Sequence, residues 1–124
     1  MDFHDYHLRG YEVAEFGSVI TLDLVYEYPG QVVRKSRIRF EGVKLYHFVH
    51  TVGAIITDIE EVSLNGLVRE HEASISAWSK EQGVADWRTD TDQLLEDWSA
   101  LSLKAWCIDS AIGFKGFVVA TSVA

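Results

Sequence analysis

The sequence predicts a mainly β domain, an antiparallel meander of seven or eight strands that forms a sandwich or a partly closed barrel, with one helix near residues 91–101. Two observations predict this class. Residues 19–28 place Ile, Leu, Leu, Tyr and Tyr at even positions and more polar side chains at odd positions, which is the period of two of a strand with one buried face. Gly17-Ser18 and Pro29-Gly30 flank this stretch and are typical turn residues, so we expect a central strand of the meander.

The composition fits a single domain over residues 1–124. Of the 124 residues, 48% are hydrophobic and 12% aromatic, which is enough for one substantial core and too little for two domains. The formal net charge of −8 argues against binding to nucleic acid or to an anionic membrane surface. It is compatible with a protein partner that has a basic surface.

The cysteine content and the N-terminus predict a cytoplasmic protein. Cys107 is the only cysteine, which excludes an intramolecular disulfide and a four-thiolate zinc site. Acidic residues follow Met1 where a signal peptide has basic ones, and no apolar run approaches the roughly 20 residues that span a bilayer.

The first hairpin is predicted from its turn residues. Residues 11–16 form the expected first strand, and Gly17-Ser18 suits a two-residue turn. Such a turn pairs Val13 with Leu22.

The register of the second hairpin follows from the alternation. A two-residue loop at Pro29-Gly30 would pair Leu22 with Arg37, although one is apolar and the other charged. A three-residue loop pairs Leu22 with Ile38 and Asp23 with Arg37, while a five-residue loop keeps these faces and pairs Asp23 with Arg39. We therefore predict an odd-numbered loop and a third strand over residues 32–41.

The middle of the chain predicts further strands. Residues 43–49 alternate after Gly42, which we expect to break or bulge the strand. Residues 54–64 have isoleucines at helical spacing and are also rich in β-branched side chains, and the second feature favours a strand. Asn65-Gly66 is a strong hairpin signal, and residues 67–78 alternate after it.

The C-terminal third predicts the helix and two closing strands. Asp90 can cap a helix with Gln93 as its capping-box partner, and an apolar stripe follows at Leu94, Leu95, Trp98 and Leu101. Residues 102–109 and 114–123 are the expected closing strands, on either side of a glycine-containing turn.

Four of the eleven cationic residues lie close together, at Arg34, Lys35, Arg37 and Arg39. One interpretation is an anion site centred on Arg37. The alternative is a cross-strand charge ladder in which Asp23 and Glu12 lie beside Arg37, and the register above favours the ladder.

The five histidines do not predict a metal centre. His47 and His50 are three positions apart and so point to opposite faces of a strand. His4-Asp5-x-His7 could bind zinc only weakly. For His4 and Asp5 we favour a structural role, in which Asp5 accepts backbone N–H groups or holds His4 in one tautomer, over a role in ligand binding.

The acidic segment 86–97 is the strongest candidate for a protein-binding surface. It holds five acidic residues against one base, with Trp87 and Trp98 between them. Tryptophan is a frequent anchor of protein interfaces. Trp98 falls on the predicted helix stripe and is expected to pack on the sheet, whereas Trp87 falls in a loop and is the candidate anchor.

Catalytic signatures are missing from the sequence. It contains no Gly-x-Ser-x-Gly motif, and Cys107 lies in an apolar row, where a small hydrophobe packs. Gly113 and Gly116 lack the lysine and the strand-to-helix setting of a phosphate-binding loop. The sequence therefore predicts no catalytic residue, no metal and no cofactor.

Three short stretches carry a family resemblance. His4-Asp5-Tyr6-His7-Leu8 resembles the His-Asp-x-x-Leu opening of small bacterial β-rich proteins of unknown function, some of which are proposed to be immunity proteins of polymorphic toxins. The stretches 39–43 and 109–117 are also similar. The resemblance implies a β-sandwich or barrel of about this length and no catalytic residue.

These observations leave three functional hypotheses. The first is a non-enzymatic, immunity-like interaction domain that binds a protein partner through an acidic aromatic surface. The candidate binding residues of the chain are His4, Asp5, Arg37 and Trp87. The second is a small-molecule-binding β-barrel with a cavity lined by Tyr26, Tyr28, Tyr46 and Trp106, and the third is an enzyme of unrecognised type. A homodimer is a further possibility, because open sheet edges need covering.

Overall fold

The fold was obtained as a computed structural model, which describes residues 2–82 and 90–124. The described residues form six β-strands, three α-helices and one 3₁₀ turn: β1 (Asp2–Ala14), the 3₁₀ turn (Glu15–Gly17), β2 (Val19–Tyr26), β3 (Arg34–Glu41), β4 (Leu45–Val62), α1 (Leu64–Glu70), α2 (Glu72–Gln82), α3 (Thr91–Ala100), β5 (Lys104–Ala120) and β6 (Ser122–Val123). The strands form one antiparallel sheet in the order β5-β4-β1-β2-β3-β6. The sheet curls into a half-barrel, so the mainly β class is confirmed.

The central strand and its register are confirmed. β2 is as alternating as predicted, and its side chains Ile20, Leu22 and Leu24 are completely buried. Leu22 lies opposite Ile38 and Asp23 lies opposite Arg37, as an odd-numbered loop requires. The connection, residues 27–33, has seven residues, because β2 ends two residues earlier and β3 begins two residues later than predicted.

The first hairpin differs from the prediction by two residues. Val13 lies opposite Ile20 rather than Leu22, because the chain turns through a 3₁₀ turn instead of a two-residue loop. Glu15 and Phe16 adopt left-handed backbone conformations there, and Ser18 donates from both its N–H and its hydroxyl to the carbonyl of Glu15. A shift of two leaves every side chain on its predicted face.

Residues 64–82 are helical, and the predicted hairpin and strand in this region are wrong. The hydroxyl of Ser63 accepts the N–H of Gly66 at 3.0 Å, so the Asn-Gly pair lies in the first turn of a capped helix. The buried side chains Leu67, Val68 and Ile75 are spaced for one helix face. Burial of this face outweighs the local turn preference.

The third helix is confirmed. The carboxylate of Asp90 accepts the N–H of Gln93 at 2.8 Å, and α3 ends at Ala100. Trp98 is only 2% exposed, as the apolar stripe predicted. None of the helices among the described residues is both long enough and apolar enough to cross a bilayer.

The strand count is lower than predicted because segments merge. Residues 45–62 form one strand and residues 104–120 another, so the predicted breaks are absent and the described strands number six rather than seven or eight. Gly53 and Gly113, with φ of 81° and 79°, lie where the β4–β5 register shifts. At these glycines the two paired strands bend but do not end.

The antiparallel pair of β4 and β5 separates two cores. Even-numbered residues of β5, among them Trp106, Ile108 and Val118, pack into the core formed with β1, β2 and β3. Odd-numbered residues, among them Ala105 and Phe117, pack into a second core beneath the helices. We call these the barrel core and the helix core.

Candidate functional site

His4 and Asp5 lie in a bulge of β1. Asp5 has a left-handed φ of 67°, and the β1–β4 register shifts between Asp2 and Tyr6. The Nε2 atom of His4 lies 3.6 Å from Oδ2 of Asp5, and both side chains are more than half exposed. The Tyr28 hydroxyl donates to the Asp5 carbonyl at 2.6 Å. The backbone of Asp5 therefore anchors the start of β1, and a binding role for this pair stays a prediction.

Arg37 lies in a different, shallow depression. Arg9, Glu12, Asp23 and Arg37 line it, and Asp23 faces Arg37 across the two strands. The ion pair of Asp23 is with Arg9, at 3.9 Å between Nε and Oδ2. Acidic and basic groups thus alternate on this face, as a charge ladder requires. His4 and Asp5 do not line the depression, so the structure does not bring the predicted residues together.

Trp87 lies outside the described residues. Of the acidic residues around it, three have structural contacts. Asp90 caps α3, Asp92 forms an ion pair with Arg69, and Asp97 accepts the side-chain N–H of Gln93 at 2.8 Å. Asp90 and Asp97 therefore stabilise α3 itself, while Asp92 links α3 to α1.

A groove lies between the helices and the face of the β4–β5 strand pair that carries the helix core. We call it the helix–sheet groove. Its helical wall consists of Glu70, His71, Ser74 and Trp78, and its strand wall consists mainly of His47, Val49, Cys107, Asp109, Lys115 and Phe117. The volume is about 290 Å³, which is at the lower end of ligand sites in proteins and suits a side chain or a small molecule.

The position of the groove follows from local structure. His71 ends α1, and its backbone, with φ −103° and ψ 16°, turns the chain into α2. Two contacts hold these helices against α3: the Arg69–Asp92 ion pair and the hydrogen bond from the Thr91 hydroxyl to Glu72, at 2.8 Å. The helical wall is thus fixed at both α1 and α2.

Four rings form a tilted stack along the groove. Trp78 lies over His47 with centroids 4.9 Å apart and planes 34° apart. His47 and Phe117 are 6.1 Å apart, and Phe117 and His71 are 4.5 Å apart at 33°. Phe117 belongs to the buried core while His47 is exposed. The stack therefore presents ring faces to solvent on a rigid base.

Carboxylates dominate the electrostatics of the groove. Burial raises the pKa of the Cys107 thiol, and the charges of Asp109, Glu70 and Glu60 raise it further. Glu70 comes from α1 and Asp109 from β5, so the two walls both place negative charge near one thiol. The Cys107 thiol is consequently neutral at physiological pH, and Lys115 is exposed at the rim.

Asp109 also belongs to a cluster of three carboxyl groups. Ligand atoms of Asp58, Glu60 and Asp109 lie within 4.8 Å of one another. A hydrogen bond with Asp109 raises the pKa of Glu60, with additional effects from the charge of Asp109, burial and the charge of Asp58. Oxygen donors of this kind suit a hard divalent cation. The close approach of like-charged carboxylates favours the protonated form of Glu60, which is the direction of its pKa shift.

Sequence reasoning missed the groove because its residues are far apart in the chain. His47 and His50 do point to opposite faces, as predicted: His47 stacks on Trp78, and His50 lies 5.8 Å from Phe114 in the barrel core. His71 reaches the same groove as His47 only because residues 64–82 are helical. The one local signal for this arrangement is Ser63, a residue type that caps helices.

The residues predicted to line a small-molecule cavity lie in different surroundings. Trp106 packs against Phe40 at 5.7 Å in the barrel core. Tyr26 and Tyr28 pack edge to face with ring centroids 4.8 Å apart, with the guanidinium of Arg34 4.3 Å above the Tyr26 ring. Their surroundings differ from those of Tyr46, which is exposed beside Phe48.

Comparison of the chain with models of protein families, with curated proteins and with solved structures finds no match. The class that the fold defines is a β-rich half-barrel with three helices among its described elements.

Proposed function

We propose that this chain is a non-enzymatic protein-interaction domain whose helix–sheet groove binds a basic side chain of a protein partner. The observation that carries the proposal is the placement of Glu70 and Asp109 on opposite walls of a groove with exposed ring faces. Aromatic anchors with charged neighbours are typical of interface hot spots. A cation entering between the two carboxylates would be attracted by both.

Two further observations support an interaction role. The chain carries a net charge of −8, which favours encounter with a basic partner. The barrel core is filled by completely buried side chains such as Leu24 and Phe40. The groove lies on the opposite face of the β4–β5 strand pair. The resemblance of the N-terminal segment to immunity-like proteins supports the same class.

A selection from a displayed library of random peptides tests the proposal. The wild-type protein should enrich peptides that contain arginine or lysine, because these side chains fit a groove with two carboxylates. The Glu70→Gln, Asp109→Asn double variant should lose this enrichment.

The matched control is the Glu81→Gln, Glu96→Gln double variant. It also removes two negative charges, but from exposed helix positions outside the groove, so it should enrich basic peptides as the wild type does. Equal enrichment by all three proteins would mean that net charge and not the groove attracts the peptides, and the proposal would be wrong.

A further inference from the structure

The helix–sheet groove is aromatic as well as acidic. The Trp78 ring of the helical wall and the His47 ring of the strand wall are in contact, with centroids 4.9 Å apart and planes 34° apart, so the faces that they turn towards each other are covered. Trp78 is half-buried and His47 exposed, which leaves ring surface open to a ligand. A flat cation has more contact with such a surface than a spherical one.

We propose that the groove selects arginine over lysine, with the guanidinium stacking on the open ring surface of Trp78 and donating hydrogen bonds to Glu70 and Asp109. This inference rests on the proposed function, because it names the side chain that the basic partner inserts. Arginine is planar, stacks on aromatic faces and presents a fork of donors. Lysine is a compact, strongly hydrated point charge that cannot stack on a ring face in this way.

The placement of the two carboxylates fits this geometry. Glu70 is on the helical wall and Asp109 on the strand wall, so donors on different edges of one guanidinium can reach different acceptors. Charged hydrogen bonds of this type are about twice as strong as neutral ones. Among the described residues, the one lysine that lines the groove, Lys115, is an exposed side chain at the rim.

The volume agrees with one side chain as the occupant. At about 290 Å³, the groove is smaller than most sites for drug-sized ligands. The apolar stem of an arginine can lie against Val49, an exposed side chain of the strand wall, while its charged head reaches the carboxylates, as long cationic side chains do elsewhere.

Two blocked tripeptides, acetyl-Gly-Arg-Gly-amide and acetyl-Gly-Lys-Gly-amide, serve as probes in a ¹H–¹⁵N NMR titration. The indole N–H of Trp78 and the amide of Phe117 report on the groove. We expect both to shift with the arginine probe, which should bind about threefold or more tighter than the lysine probe, as a stacked cation requires. Trp78→Leu keeps apolar bulk without the aromatic face, so it should abolish the preference while leaving weak binding that salt screens.

Equal affinity of the wild-type protein for the two probes would overturn the selectivity and leave a groove that accepts any basic side chain. Shifts confined to resonances outside the groove, or no shifts with either probe, would also overturn it. The peptide-library selection decides the proposed function separately, because it scores basic residues of both kinds. The wild-type comparison of the two probes does not depend on the folding of any variant.

Discussion

Replacement of Gly42 by alanine tests how the half-barrel closes. Gly42 has a left-handed φ of 63°, and a Cβ there would lie 2.2 Å from Oγ1 of Thr121. That hydroxyl donates to the Glu41 carbonyl at 3.0 Å, next to the short β3–β6 pairing. The left-handed backbone costs about 1–2 kcal/mol in a non-glycine residue, and displacing the hydroxyl loses a hydrogen bond of about 1 kcal/mol.

We therefore expect Gly42→Ala to lower the free energy of unfolding by about 2–3 kcal/mol. The assay is urea unfolding followed by circular dichroism, with the midpoint compared at constant m value. In a Thr121→Ala background the same change should cost only the backbone strain, about 1–2 kcal/mol, so the two substitutions should be non-additive.

Gly10→Ala is the matched control. A Cβ at Gly10 would have no other atom within 4 Å, so a change within about 0.5 kcal/mol is expected. The reasoning would be refuted if Gly42→Ala cost no more than Gly10→Ala, or if Thr121→Ala left the cost of Gly42→Ala unchanged.

Three further predictions concern the groove and its acidic neighbours. Lys115→Gln removes the cation at the rim and should tighten binding of a basic peptide by about two- to fivefold; weaker binding, measured by calorimetry, would contradict this. Cys107 should react with iodoacetamide more slowly than in the urea-unfolded chain at neutral pH, because its pKa is raised by burial and nearby carboxylates; a faster reaction in the folded protein would contradict it. Because the pKa of Glu60 is raised in the folded protein, its contribution to stability is present below the ordinary glutamate pKa and is lost as the pH rises through the folded-state value. Glu60→Gln mimics the protonated carboxyl, so urea midpoints should favour the variant increasingly towards neutral pH; parallel pH profiles for the two proteins would show that the carboxyl cluster has no such effect.

The parts of the fold that follow from the sequence are those governed by alternation and capping. The β2–β3 register follows because Leu22 and Asp23 tolerate only partners of matching character, and a strand allows just two faces. The start of α3 follows because Asp90 satisfies a helix N–H that otherwise has no partner. Both signals lie within a few residues of the element that they specify.

The parts that do not follow depend on packing between distant segments. Alternation over Ala73, Ile75 and Ala77 resembles a strand, yet only Ile75 of the three is buried, and helical spacing with Leu67 and Val68 decides the structure. In the sequence, the bends of β4 and β5 resemble turns because glycine suits both a bend and a turn. Long pairing on either side of each bend, as at Val49 opposite Lys115 and Ile59 opposite Ile108, keeps the strands continuous.

The candidate site was inaccessible to sequence reasoning for the same reason. Its rings come from β4, β5 and the α1–α2 segment, and no local pattern brings His47 beside Trp78. The predicted positions His4, Asp5 and Arg37 lie elsewhere on the sheet: His4 lies beside Asp5 within β1, and Arg37 faces Asp23 of the adjacent strand.

Reversal of one charge in the groove tests the central claim most directly. The Glu70→Lys protein is to be selected against the same peptide library as the wild type, with Glu96→Lys as the control at an exposed position outside the groove. Our account predicts that the enriched side chains change from arginine and lysine to aspartate and glutamate for Glu70→Lys alone. Continued enrichment of basic peptides by Glu70→Lys, or an identical switch in Glu96→Lys, would contradict it.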